Sequence, residues 1–453
     1  MSNRIGFWSV LALVVGSQIG SGVFMSPANL APFGIYSIAG WIASAIGAIA
    51  LAMVFAALCG RFPKTGGPHV YIEQLFGKDV SFFAGWTYWV VSWISTTAVI
   101  VAAIGYLSPL IGEQSPMVYL ALEIILLLLI GILNLFGVSI AGRAEAVFTI
   151  LKFIPLFIVP AVAIWFFDIN NFQMSEVIAS QSSSSSIAQA ALLTLWGFVG
   201  LESATTPAGS VENPAKTIPR ALIIGTSIVA LIYMFNSIAI MGLIPGSELA
   251  KSSAPFADAA RHVFGGSWHL WISLAASIVC IGTLNAWVLT SGQISLGLAQ
   301  DKMMPGIFAK LNQNDAPYAS IICSCLGIVP LLILTANKNI AGQVAAVIDF
   351  SVTSFLFIYL LCSIVNLVLS WREKRGILSI INSLVAIIFC TWVISETSLN
   401  TLMISSLFTL SGVPLYFFWY KKIIFRKFTR FFPYPIDGLL FSVGLHNLHI
   451  SCC

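Results

Sequence analysis

Charged side chains are scarce in this chain of 453 residues: Asp, Glu, Lys and Arg make up 8% of it, while 58% of the residues are apolar. A soluble domain carries about 25% charged residues, because its surface must be covered by groups that interact with water. The mean hydropathy of +0.95 points in the same direction. The composition therefore excludes a soluble globular protein and predicts that most of the outer surface faces lipid.

Cysteine pairs and catalytic motifs are also lacking. The eight cysteines are scattered, most of them within apolar runs, and none belongs to a CxxC pair. This argues against disulfides and against a zinc site. No HExxH, P-loop or GxSxG motif is present, so an enzyme acting within the membrane would have no known chemistry to use. We expect no enzymatic activity and no bound metal or organic cofactor.

Long apolar stretches, in contrast, recur about twelve times, each close to the ~20 residues that span a bilayer as a helix. We predict an all-α integral membrane protein with one transmembrane domain over residues 1–422 and a basic cytoplasmic tail over 423–453. The predicted spans are centred on residues 7–31, 35–59, 80–107, 117–140, 147–167, 187–205, 220–244, 268–295, 317–336, 342–370, 377–395 and 401–420.

Lysine and arginine are distributed unequally between the two sides of these spans. If the N-terminus is cytoplasmic, 18 of the 21 residues fall on the cytoplasmic side, and only Lys251, Arg261 and Lys338 fall outside. Cytoplasmic loops carry such an excess of positive charge. The first apolar stretch is about 25 residues long, too long for the core of a signal peptide, so we expect it to be retained. We predict twelve spans with both termini in the cytoplasm.

Three connections between the spans are more than simple turns. Gly60–Asp79, on the cytoplasmic side, combines Pro/Gly turn residues with an amphipathic YIEQLFG piece. The serine run Gln181–Ser186, on the outer side, is expected to be a flexible linker. Ser247–Phe264, also outside, is expected to contain a short helix that is capped by Ser252 or Ser253 and covers an outer vestibule.

Two of the spans contain glycine-rich interruptions. Val15–Phe24 in the first span reads VGSQIGSGVF, and Leu193–Thr205 in the sixth reads LTLWGFVGLESAT. Glycine-broken helices in corresponding positions of two chain halves are typical of the binding site of a secondary transporter. The offset of five spans predicts a 5+5 inverted repeat over residues 7–167 and 187–370, with two further helices over 377–420.

The first break offers groups that would bind a carboxylate. Glycine permits non-helical backbone, which exposes N–H groups at the start of the following half-helix. Such a helix terminus attracts anions, and Ser17 and Ser21 add hydroxyl groups beside it. Gly20 and Gly22 could instead serve only the close packing of helices. The matching break in the sixth span favours a substrate site.

The second break brings an acidic and an aromatic side chain into the membrane. An acidic group such as Glu202 at mid-membrane depth costs ~2.5–3.5 kcal/mol on the insertion scale and normally faces a cavity, where it titrates or pairs. This would suit coupling to protons, although a structural hydrogen bond to the freed backbone is the alternative. Trp196, and Trp287 in the eighth span, would either stack on a planar cation or pack as ordinary membrane tryptophans.

Three other charged residues lie near the predicted ends of spans. Asp349 is either a counter-charge for a cationic substrate or an interfacial carboxylate, and we favour the second interpretation. Lys152 and Glu123 are placed where long side chains snorkel to the interface. No chemistry is assigned to these two.

Five segments resemble the basic amino acid/polyamine antiporters of the amino acid–polyamine–organocation (APC) superfamily, and among them the bacterial arginine/agmatine antiporters most closely. The resemblance runs from about Ile5 to Tyr420 and includes the YPID piece at Tyr434–Asp437. The segments are GSQIGSGVFMSPANLA, PKTGGPHVYIEQLFG, TLWGFVGLESAT, VENPAKTIPRA and IMGLIPGSELAKSSAPFADAA.

The resemblance implies a leucine-transporter-type inverted repeat, a homodimer and a defined site. Trp196 is then the gate over the bound substrate, and Trp287 is the wall beside its aliphatic stem. A second, pH-sensitive gate consists of Tyr88, Glu202 and Tyr359. The substrate-binding positions, apart from the two tryptophans, are Ser17, Ile19, Gly20, Ser21, Gly22, Ser92, Thr96, Val99, Val199 and Ser351.

The sequence departs from the arginine/agmatine pattern at two of these positions and at one residue near Ser351. Thr96 stands in place of an Asn, Val99 in place of a Met, and Asp349 in place of a Ser. Threonine offers a hydroxyl but no amide to a guanidinium group, which weakens arginine specifically. A carboxylate at Asp349 still favours a cationic substrate if it faces the pocket.

Taken together, these features predict an exchanger in the bacterial inner membrane that moves a cationic amino acid against its decarboxylated amine, with arginine/agmatine as the first pair. Putrescine/ornithine and lysine/cadaverine exchange are the alternatives, as is a proton-coupled amino acid importer on the same fold. The expected partners are these small amines and amino acids, the lipid bilayer and a second copy of the chain, with no nucleic acid. A channel or sensor is disfavoured by the broken helices and by the lack of a large cytoplasmic domain.

Overall fold

The computed structural model of the protein describes residues 6–64, 66–137, 151–153, 155–206, 208, 211–336 and 340–421. The described chain is built from helices and the connections between them. The predicted tail over 423–453 lies outside the described residues. The helices, in chain order, are α1 (Phe7–Gln18), α2 (Ser21–Leu30), α3 (Tyr36–Arg61), α4 (Pro68–Gly105), α5 (Ser108–Ile111), α6 (Pro116–Leu135), α7 (Leu151–Phe166), α8 (Glu176–Ala179), α9 (Ser183–Leu195), α10 (Pro214–Leu243), α11 (Gly246–Leu249), α12 (Pro255–Phe264), α13 (Trp268–Gln300), α14 (Tyr318–Thr335), α15 (Ile340–Arg372), α16 (Ile377–Ser395), α17 (Leu399–Leu410) and α18 (Val413–Leu415).

Ten helical segments of the described chain are long and apolar enough to cross a membrane, and two shorter apolar helices, α7 and α14, accompany them. Each of the predicted apolar stretches overlaps one of these helices. The prediction of a multi-pass, all-helical membrane protein is therefore confirmed. The number of crossings and the inverted repeat stay predictions.

The inner helices of the bundle are α4, α13 and α15, and α4 packs against both of the others. On another side α10 packs against α1 and α3, and α3 packs against α9. In the segment Pro68–Ile111, which contains α4, 89% of the most apolar window is buried, compared with 28% for α6 and for α16. The outer helices therefore present apolar surface to lipid, and the broken helices lie between inner ones.

The segment Gly60–Asp79 is helical from Pro68 onward, and its cytoplasmic location stays a prediction. The YIEQLFG piece forms the first turns of α4, which then kink at Gly77 (φ 77°, ψ −177°). A residue with a side chain rarely adopts a positive φ, whereas glycine does so without penalty. The kink at Gly77 thus separates the amphipathic start of α4 from its apolar remainder.

The serine run is not a flexible linker, so this prediction was wrong. Ser183 begins α9, and Ser182 caps it because its side chain accepts a hydrogen bond from the Ser185 N–H at 3.2 Å. Serine is favoured at this position because its short side chain reaches the unpaired N–H groups of the first turn.

The predicted external helix is present as α12, but neither predicted serine caps it. Its N-cap is Ala254, which makes no side-chain bond. Ser252 instead accepts from the Ala254 N–H at 3.2 Å and donates to Asp258 Oδ2 at 2.5 Å. Phe256 of α12 is buried and its ring lies 4.7 Å from that of Phe24. The helix thus packs onto α2.

Lys152 and Glu123 do not lie at the surface, so the snorkelling prediction was also wrong. The side chains are buried, with residue exposures of 0% and 2%. Lys152 projects into the bundle toward the end of α1, and Glu123 lies on the inward side of α6. Position along the sequence placed both residues near helix ends, but neighbouring helices cover those ends.

Candidate functional site

The first helix break separates α1 from α2 at Ile19 and Gly20. Ile19 has extended backbone (φ −74°, ψ 100°), and Gly20 has φ −153° and ψ −143°. A Cβ on Gly20 would lie 2.5 Å from Thr283 Cγ2, so no other residue fits here without a shift. Because α2 begins without a side-chain cap, its first N–H groups have no acceptor within the helix. They are available to an anion.

The carbonyl groups at the end of α1 accept hydrogen bonds from three other helices. An unbonded carbonyl inside a membrane protein is costly, so these contacts are what allows the helix to stop there. The bonds are from Lys152 Nζ to Gly16 O at 2.7 Å, from Tyr233 OH to Gln18 O at 2.5 Å, and from Thr283 Oγ1 to Ile19 O at 3.0 Å.

The second break follows α9 and contacts the first. After Trp196–Phe198, a single turn of 3-10 helix, the chain reaches Gly200, whose φ is 102°. A Cβ on Gly22 would lie 2.9 Å from the Gly197 Cα, so the two breaks touch backbone to backbone. Ser17 Oγ also donates to the Gly200 carbonyl at 3.1 Å. The glycines are therefore required for this contact.

A small pocket of about 10 Å³ lies between the two breaks. This leaves room for about one water molecule, so the pocket is closed to an amino acid, which must widen it to enter. Trp196 closes one side, with Nε1 donating to Ser21 Oγ at 3.4 Å. The pocket is lined by Ser17, Gln18, Gly20, Ser21, Gly22, Val99, Trp196, Val199, Thr283 and Trp287.

Most of the residues predicted to bind substrate converge on this pocket. Eight of them line it: Ser17, Gly20, Ser21, Gly22, Val99, Trp196, Val199 and Trp287. Ile19 is buried in the break, and its carbonyl accepts from Thr283.

Three predicted binding residues do not line the closed pocket. Ser92 donates to the Trp89 carbonyl and Thr96 to the Trp93 carbonyl, both at 2.6 Å and within α4. The Ser351 hydroxyl is buried and has no hydrogen-bond partner among the described residues.

The predicted gate residues form one hydrogen-bonded cluster. Tyr88 on α4 donates to Glu202 Oε1 at 2.9 Å, and Tyr359 on α15 donates to Glu202 Oε2 at 2.7 Å. All three side chains are fully buried. The ring of Phe355 lies 5.8 Å from that of Tyr88 and 6.1 Å from that of Trp287. The cluster is thus in aromatic contact with the wall of the pocket.

Asp349 belongs to neither the pocket nor the gate cluster. It lines a separate, larger cavity at the end of the bundle where α16 and α17 meet. It is therefore not a direct counter-charge in the closed central pocket. Among the described residues, no three His, Cys, Asp or Glu side chains come together as they would around a metal ion.

Three residues at the site were not among the predicted binding positions. Gln18 lies within the GSQIGSG motif, and Thr283 lies one turn before Trp287 on α13, which is a signal that could have identified it. The sequence predicts Lys152 to be interfacial. In the structure Gln18 and Thr283 line the pocket, and Lys152 donates to the backbone of the first break.

Comparison with known proteins agrees with this architecture. Residues 5–424 match the amino acid permease family. The cadaverine/lysine antiporter of Escherichia coli strain K12 is 29% identical over 397 residues, which cover 86% of this chain and 89% of that protein.

Two proteins named putrescine transporter PotE are similar as well. The one from Haemophilus influenzae is 32% identical over 437 residues, covering 94% of this chain and 99% of that protein. The one from Escherichia coli strain K12 is 30% identical over 362 residues, covering 80% and 82%. With a family match over nearly its whole length and these relatives, the chain belongs to the amino acid permease family.

Proposed function

We propose that the protein is a secondary transporter that exchanges a cationic amino acid for its decarboxylated amine by alternating access. The observation that carries this proposal is the contact between two helix breaks around a pocket with an uncapped helix N-terminus. Such a site presents N–H groups to a carboxylate and carbonyl groups to an ammonium. We place the protein in the bacterial inner membrane as a homodimer, with both termini in the cytoplasm.

The amino acid carboxylate would bind the N-terminus of α2, beside the Ser21 hydroxyl. The α-ammonium would bind the backbone carbonyls of the breaks, where Thr283 Oγ1 now donates to Ile19 O. The aliphatic stem would lie along Trp287. Trp196 would then cover the substrate, because it already lies over Ser21 when the pocket is closed.

The cluster around Glu202 would control the path from the pocket to the cytoplasm. A carboxylate accepts hydrogen bonds through both oxygens, whereas a protonated carboxyl donates through one of them. Protonation of Glu202 would therefore remove the acceptor of Tyr88 or Tyr359 and weaken the contact between α4 and α15. This links the position of the gate to pH.

We propose that the amine is an aliphatic diamine, cadaverine or putrescine, exchanged for lysine or ornithine. The relatives whose names include cadaverine, lysine and putrescine support this choice. Thr96 supports it as well, because it offers no amide to a guanidinium group and its hydroxyl is bonded within α4. Arginine/agmatine exchange, the first pair predicted from the sequence, stays a prediction and belongs in the test.

Counterflow in proteoliposomes tests the proposal. Vesicles would be preloaded with cadaverine, putrescine, agmatine, lysine or nothing, and the initial uptake of labelled lysine, ornithine and arginine would be measured. An exchanger takes up label only when it is preloaded, and the pair with the highest rate identifies the substrates. Uptake into empty vesicles driven by an imposed proton gradient would instead show the importer and overturn exchange.

The Trp196→Leu variant tests the site, and Trp165→Leu is its matched control. Loss of the indole should abolish counterflow, because substrate is no longer covered during the conformational change. Trp165→Leu changes a tryptophan that is 81% exposed on α7 and should retain wild-type rates. Wild-type counterflow in Trp196→Leu would remove Trp196 from the site.

A further inference from the structure

A second cavity, of about 430 Å³, opens at the end of the bundle where α2 and α16 end and α9 and α17 begin. On the predicted orientation this is the outer face. Its volume falls within the range of about 300–1,000 Å³ that is typical of ligand sites. It shares no lining residue with the closed central pocket. The cavity is therefore a separate space from the one between the helix breaks.

The charged groups of this cavity are two carboxylates, Asp349 on α15 and Glu396 after α16. None of the described residues that line it is cationic. Asp349 is bonded through its backbone carbonyl, which accepts from Thr353 Oγ1 at 2.7 Å, and no described side chain pairs with its carboxylate. Glu396 accepts from Ser184 Oγ at 3.5 Å, the limit of a hydrogen bond. Both acids therefore retain acceptor capacity.

The rest of the lining suits an organic cation with an aliphatic middle. Phe33, Leu192 and Val393 supply apolar surface, and an aromatic ring such as Phe33 attracts an ammonium group over its face. Asn29 and Thr401 add neutral polar groups. A cavity lined by one sign of charge and by walls of low dielectric raises the local concentration of the opposite charge.

We propose that this outer acidic cavity is a second binding site, which takes amines with two positive charges from the outer solution before they reach the central pocket. The proposal rests on the proposed function and on the predicted orientation. Two carboxylates match the two ammonium groups of a diamine. A cationic amino acid also carries a carboxylate, which these acids repel, so the cavity discriminates in favour of the diamine.

Transport measured separately from each face tests the proposal. Right-side-out and inside-out membrane vesicles would be used to determine KM and the maximal rate for labelled cadaverine and putrescine. Asp349→Asn and Glu396→Gln remove the charges while keeping the side-chain volumes. From the outer face we expect each to raise KM for diamines about tenfold, with the maximal rate unchanged, because the local concentration of the cation falls.

The controls separate this site from the central one and from general surface charge. Rates from the inner face should be unchanged, which also shows that the variants are folded. KM for lysine or ornithine should rise less than KM for the diamines. Glu248→Gln removes a carboxylate of α11, whose side chain is 61% exposed and outside the cavity, and should leave KM unchanged.

Several results would overturn the proposal: an unchanged KM in both cavity variants, an equal rise from both faces, or an equal rise in Glu248→Gln. If the wild-type protein transports no diamine, the proposed function fails, and binding of labelled cadaverine to the purified protein then decides on the cavity. Binding that is lost in the Asp349→Asn, Glu396→Gln double variant would still support the site. Absent or unchanged binding would refute it.

Discussion

At the scale of single residues, the carboxyl of Glu202 holds together three parts of the chain. It lies just after the second break and accepts hydrogen bonds from Tyr88 of α4 and Tyr359 of α15. Both donors are phenols without access to water. If this carboxyl loses an acceptor, no water molecule can replace it as the hydrogen-bond partner of the phenols.

Replacing Glu202 by Gln tests this dependence. The amide keeps the shape but replaces one acceptor oxygen by a donor, and an unsatisfied buried donor costs about 1–3 kcal/mol. We expect the exchange rate to fall roughly tenfold, which corresponds to about 1.4 kcal/mol. Its pH dependence should flatten when labelled diamine uptake is measured between about pH 5 and about pH 8.

Glu123→Gln is the matched control, because Glu123 is also a buried carboxyl but lies on α6, away from the gate cluster. It should keep the wild-type pH profile. A wild-type profile in Glu202→Gln, or equal flattening in both variants, would contradict the assigned role.

Lys152 yields a second prediction at this scale. Met in its place preserves the length of the side chain but removes the bond to the Gly16 carbonyl. A hydrogen bond to a charged group contributes about 1.5–3 kcal/mol, so we expect a lower melting temperature and a loss of exchange. Lys152→Arg retains a donor and should recover part of both. Wild-type uptake in Lys152→Met would show that the first break does not depend on this residue.

Residues whose chemistry is unusual for a membrane could be predicted from the sequence. Residues whose role depends on their position in the fold could not. Glu202 and Trp196 stand out in an apolar segment, and Gly22 belongs to a repeated glycine pattern. Lys152 does not stand out, because closeness to the end of an apolar stretch says nothing about which helix packs over it. Asp349 could not be assigned to a cavity, because only the fold brings α16 and α17 beside it.

At the scale of elements, both helix breaks could be predicted because their cause is local. Glycines at the break permit a non-helical backbone, so their positions in the sequence predict where each helix is interrupted. The start of α9 could not be predicted from composition, since serine is common both in linkers and at helix N-termini. Only the structure shows that the Ser182 hydroxyl accepts a hydrogen bond from the Ser185 N–H, which identifies a helix N-terminus.

Gly20→Ala tests the first break as an element. The added methyl group would lie 2.5 Å from Thr283 Cγ2 and 2.6 Å from its hydroxyl, so α2 or α13 must move. Overpacking of this kind typically costs about 1–3 kcal/mol. We expect at least a tenfold loss of exchange in the counterflow assay, about 1.4 kcal/mol.

Two further variants make this prediction specific. Adding Thr283→Ala to Gly20→Ala removes the two closest atoms and should restore part of the activity. Gly306→Ala places its methyl group where no atom lies within 4 Å and should be neutral. If Gly20→Ala itself behaves as wild type, the close approach of α13 to the break is not needed for transport.

At the scale of the whole molecule, the structure is closed at its centre and at the predicted cytoplasmic end. Besides the gate cluster, an ion pair and a hydrogen bond join helices at that end. Arg61 of α3 lies 3.2 Å from Glu373, just after α15, and His69 of α4 lies 3.1 Å from Asp301, just after α13. At the opposite end the acidic cavity is open. On the predicted orientation, these contacts close the inner side of the molecule.

Weakening this closure should shift the population toward the opposite state. Glu373→Gln removes the ion pair with Arg61, in which Glu373 is 44% and Arg61 5% exposed, and the exposed pair with Arg375 at 3.0 Å. With one partner at the surface, we expect the loss to be on the order of 1 kcal/mol. Cys362 is buried at this end, with its sulfur 4.0 Å from the Pro68 carbonyl. We expect a membrane-permeant maleimide to label Cys362 about two- to fivefold faster in the variant, as read by mass spectrometry.

Glu248→Gln, at the other end of the molecule, serves as the control and should leave the labelling rate unchanged. An unaltered rate in Glu373→Gln would show that the ion pair does not contribute to closure. Substrate that favours the closed state should slow labelling in both variants.

Phe355 lies between the wall of the central pocket and the gate cluster and couples the two. Its ring touches Trp287 in the wall of the pocket and, at 5.8 and 6.0 Å, the two phenols of the gate cluster. Closely packed rings cannot shift independently of one another. On the proposed function, an empty pocket would keep the gate cluster shut, and this would protect the carrier against futile cycling. A smaller side chain at position 355 would then allow leakage, which dissipates the substrate gradient.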